Sequence, residues 1–220
     1  MRTNKFLFAL LILTLGLSLG VLLNLLLPKP APVKAIEGKL GAIVRLVNTG
    51  RTFCTGTVVS DHVIITAAHC IMVESPFGSY MNPEPIEIRD NYNIGVGVEA
   101  VAIYATPQMD QAILKGDFTK FEHRNVITNF NKLTAIGVEG QELIACGYPL
   151  FGEMECSKLV VKKKDNFYWA VVGSLYPGMS GGPVMTPDGH VVAVNTAVKD
   201  EFSIVSPIYN LTQALKGRNK

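Results

Sequence analysis

Residues 66–70 read TAAHC and residues 178–183 read GMSGGP. The first stretch places His69 beside a cysteine after an apolar run, and the second places Ser180 in a glycine-rich turn. A serine hydroxyl is almost unreactive at neutral pH until a positioned imidazole takes its proton. Backbone N–H groups must then hold the oxyanion that forms, and glycines around the serine let the chain turn its amides inward. We therefore interpret His69 as a base and Ser180 as its nucleophile.

The sequence around these stretches predicts an all-β domain. Short runs rich in Val, Ile, Phe and Tyr recur along it, separated by Gly, Asn, Asp and Pro. A segment of lower strand propensity, at about residues 115–140, divides these runs into two groups, with His69 in one and Ser180 in the other. Each group has enough strand candidates to close a small barrel. We predict two packed β-barrels, at about residues 38–120 and 135–206, with the chemistry in the cleft between them.

The N-terminal segment is not typical globular sequence. Residues 6–27 form a run of 22 without a charge, long enough to cross a bilayer as a helix, and residues 28–37 form a proline-rich stalk. We expect residues 1–27 to be a signal anchor, because a cleavable signal peptide usually has an apolar region of only ~7–15 residues. Cleavage remains the alternative, since residues 33–35 offer a small-residue site. Basic residues at the extreme N-terminus favour an extracytoplasmic domain, anchored to the membrane or secreted after cleavage.

The positive charge of the chain belongs to this N-terminal segment. The whole chain carries a formal net charge of +2, but four basic residues and no acidic residue lie in the first 35, so the remainder carries −2. The dense basic run at residues 162–164 is followed by Asp165 and lies between apolar stretches, which is typical of a solvated hairpin edge. We therefore expect no nucleic acid as a partner.

All four cysteines lie in the predicted exported part, where disulfides form. Of the three possible connectivities we expect the local one, which pairs Cys54 with Cys70 and Cys146 with Cys156. Each bond would stabilise the fold by roughly 3 kcal/mol in the chain-entropy model. Metal binding is the alternative, but the sequence has neither a Cys-x-x-Cys pair nor clustered histidines to support it. We expect no metal and no other cofactor.

Three stretches together resemble the chymotrypsin-type (trypsin-like) serine proteases, and bacterial trypsin-like and high-temperature-requirement proteases are closest in character. The stretches are TAAHC, MDQAIL at residues 109–114, and GMSGGP followed by VVAVNTA at residues 191–197. Their order, histidine before aspartate before serine, is that of this fold rather than of subtilisin or the α/β-hydrolases. The resemblance covers about residues 38–217 and implies two six-stranded antiparallel barrels. The helical apolar periodicity that follows Pro207 predicts a C-terminal helix at about residues 207–216. No PDZ-type module is expected to follow, and we expect a monomer.

The resemblance implies a catalytic triad and an oxyanion hole, formed by His69, Asp110 and Ser180 and by the N–H groups of Gly178 and Ser180. Asp110 matches the family pattern of an aspartate before an apolar strand, 41 residues after the histidine. Asp90 and Asp117 are rivals for the acid. A polar turn follows Asp90 and no apolar run follows Asp117, so both are more typical of surface turns.

One departure from the trypsin pattern concerns activation. Digestive enzymes of the family have an aspartate immediately before the nucleophile, where this chain has Met179. That aspartate pairs with a new N-terminal amine after zymogen cleavage, and a thioether cannot form the ion pair. We therefore expect activity that does not depend on freeing an N-terminus near Ile36.

The resemblance also predicts the pocket for the side chain before the cleaved bond, with Ser174 at its floor and Asn195, Thr196 and Ala197 along one wall. No acid lies at the floor to attract Lys or Arg, and Ala197 replaces the glycine of wider pockets, so a small or medium apolar side chain is favoured. The implied function is a serine endopeptidase that cleaves protein or peptide substrates through an acyl-enzyme. An inactive protease-like binding module and an esterase with the same site are the alternatives.

Overall fold

A computed structural model of the chain describes residues 40–48, 51–89, 97–121, 137–150, 152–165, 168–199, 202–208 and 211. They belong to one compact unit, Lys34–Lys220. Within these ranges no helix is long and apolar enough to cross a membrane. The predicted segments at residues 1–27 and 28–37 lie outside the described residues, and so does most of the helix expected at residues 207–216.

The amino-terminal half of the domain is built from short antiparallel strands. They are β1 (Ile43–Asn48), β2 (Arg51–Ser60), β3 (Val63–Thr66), β4 (Met72–Ser75), β5 (Gly78–Met81), β6 (Ile86–Arg89), β7 (Val98–Thr106) and β8 (Gln111–Gly116). Six of them close into a barrel in the order β1-β2-β3-β8-β7-β6, while β4 and β5 form a separate hairpin. A 3₁₀ turn at Ala68–Cys70 follows β3, and another at Pro107–Met109 precedes β8.

The carboxy-terminal half forms a second closed barrel. Its strands are β9 (Glu142–Gly147), β10 (Glu155–Lys164), β11 (Trp169–Val172), β12 (Pro183–Met185), β13 (Val191–Lys199) and β14 (Phe202–Pro207). They close in the order β10-β11-β14-β13-β12-β9, and each neighbouring pair is antiparallel. The prediction of two six-stranded antiparallel barrels is therefore confirmed.

Strand β8 lies where the two barrels meet, and this position explains why its residues are buried in succession. The strand is buried at its first four residues, whereas β6 alternates between buried and half-buried side chains. Ala112 and Leu114 belong to the apolar core of their own barrel. Gln111 points to the other barrel, where its amide donates to the Ser206 hydroxyl at 2.6 Å. Both faces of β8 are thus covered, and the residue that precedes it, Asp110, enters the cleft between the barrels.

Candidate active site

His69 lies on the 3₁₀ turn that follows β3, at the edge of the amino-terminal barrel. Ala67 and Ala68 are buried, and such small side chains let the turn lie close against the barrel. The His69 side chain is 47% exposed and faces outward from this support. The next residue, Cys70, forms a disulfide with Cys54 on β2. The turn that carries the imidazole is therefore covalently tied to the neighbouring strand.

Asp110 contacts His69 through both of its carboxylate oxygens. Oδ1 accepts a hydrogen bond from the His69 backbone N–H at 2.8 Å, and Oδ2 lies 2.8 Å from Nδ1 of the imidazole. Asp110 adopts a left-handed conformation (φ 49°, ψ 49°) directly after the turn Pro107–Met109, and this conformation is uncommon outside glycine. Because an ionised carboxylate can only accept, Nδ1 carries the proton and Nε2 is left as an acceptor.

A tyrosine from the other barrel supports the turn that carries the acid. The Tyr168 hydroxyl donates a hydrogen bond of 2.6 Å to the carbonyl of Gln108. Burial, with smaller contributions from the carboxylates of Asp110 and Asp165, raises the pKa of Tyr168 above its ordinary value of 10.0. The phenol therefore keeps its proton at neutral pH and remains a donor.

The rival acids differ from Asp110 in their surroundings. Asp90 lies outside the described residues. Asp117 is exposed, and its carboxylate accepts hydrogen bonds from the N–H and the hydroxyl of Thr119, which lower its pKa. Of the two acids that the structure describes, Asp110 is the one that contacts His69.

Ser180 lies just before β12 and reaches the amino-terminal barrel through its main chain. Its carbonyl accepts a hydrogen bond of 2.8 Å from the Thr55 N–H and lies 3.8 Å from the sulfur of Cys70. An imidazole nitrogen of His69 lies within 4.8 Å of the same sulfur. The structure thus brings the predicted base and nucleophile into one cleft.

The Ser180 hydroxyl donates to the carbonyl of Thr196 at 3.4 Å. Among the described residues, no hydrogen bond joins this hydroxyl to His69. Such a bond is often long or poorly aligned in proteases without substrate, and it tightens when substrate binds.

Gly178 and Ser180 present two N–H groups without an acceptor among the described residues. A turn in which Met179 donates to the Tyr176 carbonyl at 3.0 Å precedes the serine, with Pro177 and Gly178 at its centre. Gly178 has φ +95°, and a Cβ there would come within 2.5 Å of the Tyr148 carbonyl. Glycine is therefore required at this position, and both N–H groups are available for an anion.

The cysteines form the two expected bonds, Cys54–Cys70 and Cys146–Cys156. Donor atoms of Cys54, Cys70 and His69 lie within 4.8 Å of one another, a separation that a metal site would also show. A thiolate is the form of cysteine that binds metals, and both of these sulfurs are in a disulfide. This cluster therefore does not have the chemistry of a metal site.

A cavity of about 230 Å³ opens beside Ser180. It is lined by Leu175, Tyr176, Pro177, Met179, Ser180, Asn195, Thr196 and Ala197. No charged residue is among them. Ser174, which the resemblance implied as the floor, is exposed and does not line the cavity. The side chains of Asn195 and Thr196 donate hydrogen bonds to backbone carbonyls, so the cavity offers mainly apolar groups and main chain.

One residue of the site is not singled out by any sequence pattern. Thr55 is fully buried, and its hydroxyl contacts the loop before Ser180, 123 residues away along the chain. It follows a cysteine in a β-strand, where a threonine is ordinary. A contact over such a separation leaves no local signal.

Comparison with known proteins identifies the family and the fold. Residues 54–194 match the family described as a trypsin-like peptidase domain. Among solved structures, the chain is similar to a serine endoprotease from Yersinia pestis, with 21% identity, a TM-score of 0.68, and coverage of 86% of this chain and 67% of that one. It is also similar to the Rv3671c protease in an inactive form, with 18% identity, a TM-score of 0.64, and coverage of 86% and 96%.

No curated protein sequence matches the chain. Both solved structures are less than 25% identical to the chain, so their similarity is evidence for the fold alone. The family match is a similarity of sequence and spans more than half of the chain, so it establishes the family. The chain belongs to the trypsin-like peptidases and is a serine-type endopeptidase.

Proposed function

We propose that the protein hydrolyses peptide bonds with Ser180 as nucleophile, His69 as general base and Asp110 as the acid that orients the imidazole. The observation that carries this proposal is the double contact of the Asp110 carboxylate with the His69 N–H and Nδ1, both at 2.8 Å. It fixes the ring in the tautomer whose Nε2 accepts a proton.

The chemistry follows from these positions. Nε2 of His69 takes the proton of the Ser180 hydroxyl as Oγ attacks the carbonyl carbon of the peptide bond. The oxyanion receives hydrogen bonds from the N–H groups of Gly178 and Ser180. His69 then gives its proton to the leaving amine, which leaves an acyl-enzyme. Water attacks the ester by the same route, so that the acid product departs and Ser180 regains its proton.

The proposed substrate has a small or medium apolar side chain before the cleaved bond. The cavity beside Ser180 has a volume of about 230 Å³ and a lining without charged residues. Ala197 lies in that lining, and its methyl group takes up space that glycine would leave open. A difference of one methyl or methylene group discriminates by about 1–3 kcal/mol, so we expect a preference and not strict exclusion.

We further propose that the protease domain works outside the cytoplasm. The two disulfides support this location, because such bonds persist in oxidising compartments. The uncharged run at residues 6–27 supports export, with a retained anchor favoured over a cleaved signal peptide.

A fluorophosphonate label and a peptide library test the proposed function. We expect the label to react with Ser180 in the folded protein, and the library to be cleaved after small or medium apolar residues. Ser180→Ala should abolish labelling and lower kcat by about 10⁶-fold. A folded protein that does not react with the label would be an inactive binding module, and one that reacts and cleaves esters but no peptide would be an esterase.

A further inference from the structure

The loop before the nucleophile is fixed through the carbonyl groups of its successive peptides. The Pro177 carbonyl accepts a hydrogen bond from the Leu150 N–H at 3.0 Å. The Met179 carbonyl accepts one from the Asn195 side chain at 3.2 Å. In a trans peptide the N–H points away from the carbonyl of the same plane. Holding these two carbonyls therefore sets the direction of the two N–H groups of the oxyanion hole.

Thr55 holds the peptide between those two. Its side chain is fully buried, and its hydroxyl donates to the Gly178 carbonyl at 2.8 Å while it accepts from the Tyr148 N–H at 2.9 Å. A hydroxyl can do both at once, which an apolar side chain of the same shape cannot. The Thr55 N–H also donates to the Ser180 carbonyl at 2.8 Å. One residue of the amino-terminal barrel thus holds the loop on both sides of Met179.

Asn195 holds the same loop from the carboxy-terminal barrel. It is 1% exposed, and its amide donates to the carbonyls of Met179 at 3.2 Å and Cys146 at 3.3 Å. Its main chain pairs with the turn after the nucleophile, because its N–H donates to Gly182 and its carbonyl accepts from Gly181. The residue therefore contacts the loop before and after Ser180.

We propose that Thr55 and Asn195 are positioning residues that hold the oxyanion hole in its anion-binding form without an activation ion pair. Met179, where trypsin has its activation aspartate, is a buried apolar residue and supplies no charge to fix the loop. The two uncharged side chains supply that restraint from opposite barrels. This inference rests on the proposed function, since it assigns the groups that prepare the site for its oxyanion.

Isosteric substitution of Thr55 tests the inference. Thr55→Val keeps the shape of the side chain and removes the hydrogen bonds of its hydroxyl, whereas Thr55→Ser keeps the hydroxyl. Loss of one oxyanion donor costs ~10²–10³ in kcat, so loss of a group that aims it should lower kcat by about 10- to 100-fold. We expect Thr55→Ser to retain most of the activity of the unaltered protein.

Thr57→Val is the matched control. Thr57 lies two residues further along β2 and is fully buried, but its hydroxyl has no hydrogen-bond partner among the described residues. The same chemical change at that position should leave kcat unchanged. If both valine variants lost activity equally, the effect would belong to strand β2 in general and the inference would be wrong.

Inhibitor binding separates positioning from a general structural role. A peptide boronic acid forms a tetrahedral adduct with Ser180 that places an oxygen in the oxyanion hole, whereas a product peptide fills the apolar cavity without this charge. In Thr55→Val the affinity for the boronic acid should fall by the same factor as kcat, and the affinity for the product peptide should stay the same. Equal affinity for the boronic acid in this variant and in the unaltered protein would overturn the inference.

Asn195→Ala provides a second, independent variant in case Thr55→Val does not fold, with circular dichroism as the check on folding. Asn195 also lines the cavity, so its replacement changes binding of the product peptide as well. The expected result is a larger loss of affinity for the boronic acid than for the product peptide. The unaltered protein and Ser180→Ala are measured first. An unaltered protein that does not cleave peptides refutes the proposed function, whereas an active one whose Asn195→Ala and Thr55→Val variants bind the boronic acid normally refutes only the role of these two residues.

Discussion

Asp110 and His69 are joined at two points, and this geometry determines what a change at Asp110 should do. One carboxylate oxygen accepts from the His69 backbone and the other faces Nδ1. An asparagine has a single oxygen, so it cannot accept at both places. With its NH₂ group toward Nδ1 it would favour the tautomer that carries the proton on Nε2, and such an imidazole cannot take the serine proton.

We therefore predict that Asp110→Asn lowers kcat by on the order of 10⁴ while the substrate still binds. Steady-state kinetics on a cleaved peptide would measure this effect. Asp117→Asn is the control, because Asp117 is an exposed rival acid that binds its own turn through Thr119. An equal loss of kcat in both variants would show that the assignment of the acid is wrong.

The side chains that could be predicted from the sequence are those with signals in their own neighbourhood. His69, Asp110 and Ser180 each lie in a stretch whose composition favours a particular turn before or after a strand. Thr55 has no such signal, because its partner Gly178 is 123 residues away. The position of Ser174, six residues before Ser180, predicts that it lies in the pocket. In an irregular segment such spacing does not determine where a side chain points, and the cavity lining begins one residue later, at Leu175.

At the scale of elements, the strands that could be predicted are those with apolar runs. The β4–β5 hairpin has no buried residue in either strand, and all four residues of β5 are exposed. Phe77, at the turn of this hairpin, is fully exposed. Hydrophobic patterning predicts a strand from the face that the strand buries, so it does not predict a hairpin that lies outside the barrel.

The two disulfides belong to different kinds of element. Cys54–Cys70 joins β2 to the turn that carries His69, a segment with no ladder of its own. Cys146 and Cys156 lie directly opposite each other in the β9–β10 ladder, which six residue pairs already hold in register. The first bond ties the turn that carries His69 to β2, and the second reinforces a sheet.

We predict that replacing either pair by alanine lowers the free energy of unfolding by about 3 kcal/mol, since the closed loops span 16 and 10 residues. Replacing Cys54 and Cys70 should in addition lower kcat, whereas replacing Cys146 and Cys156 should leave it unchanged. Denaturant unfolding and peptide kinetics on both double variants check this. Equal kcat in the two would contradict a role of the first disulfide in placing His69.

At the scale of the whole molecule, the site depends on how two separate barrels meet. Each disulfide lies within one barrel, so the described contacts between the barrels are non-covalent. Tyr148 donates to the Ile43 carbonyl at 3.1 Å, and Gln111 donates to Ser206 at 2.6 Å. The number of barrels could be predicted from the two groups of strand-like runs. Their mutual fit could not, because it depends on buried polar pairs 95 or more residues apart.

This fit bears on whether the protein needs proteolytic activation. In trypsin-type activation, a new N-terminal amine pairs with an aspartate next to the nucleophile and orders the loop. Met179 is fully buried and cannot form that ion pair, and the loop is already held by Thr55 from one barrel and by Asn195 from the other. Ile36, the candidate new terminus, lies outside the described residues.

We predict that a chain beginning at Ile36, a chain beginning at Gly38 and the full chain have the same kcat/KM. The reason is that the groups that fix the oxyanion hole all lie within the two barrels, so no terminal amine is needed to order it. Peptide kinetics on the three forms, with Ser180→Ala in each as a blank, would measure this. Activity that rises sharply when Ile36 is freed, and is lost again when the chain starts at Gly38, would show that the terminal amine orders the loop after all.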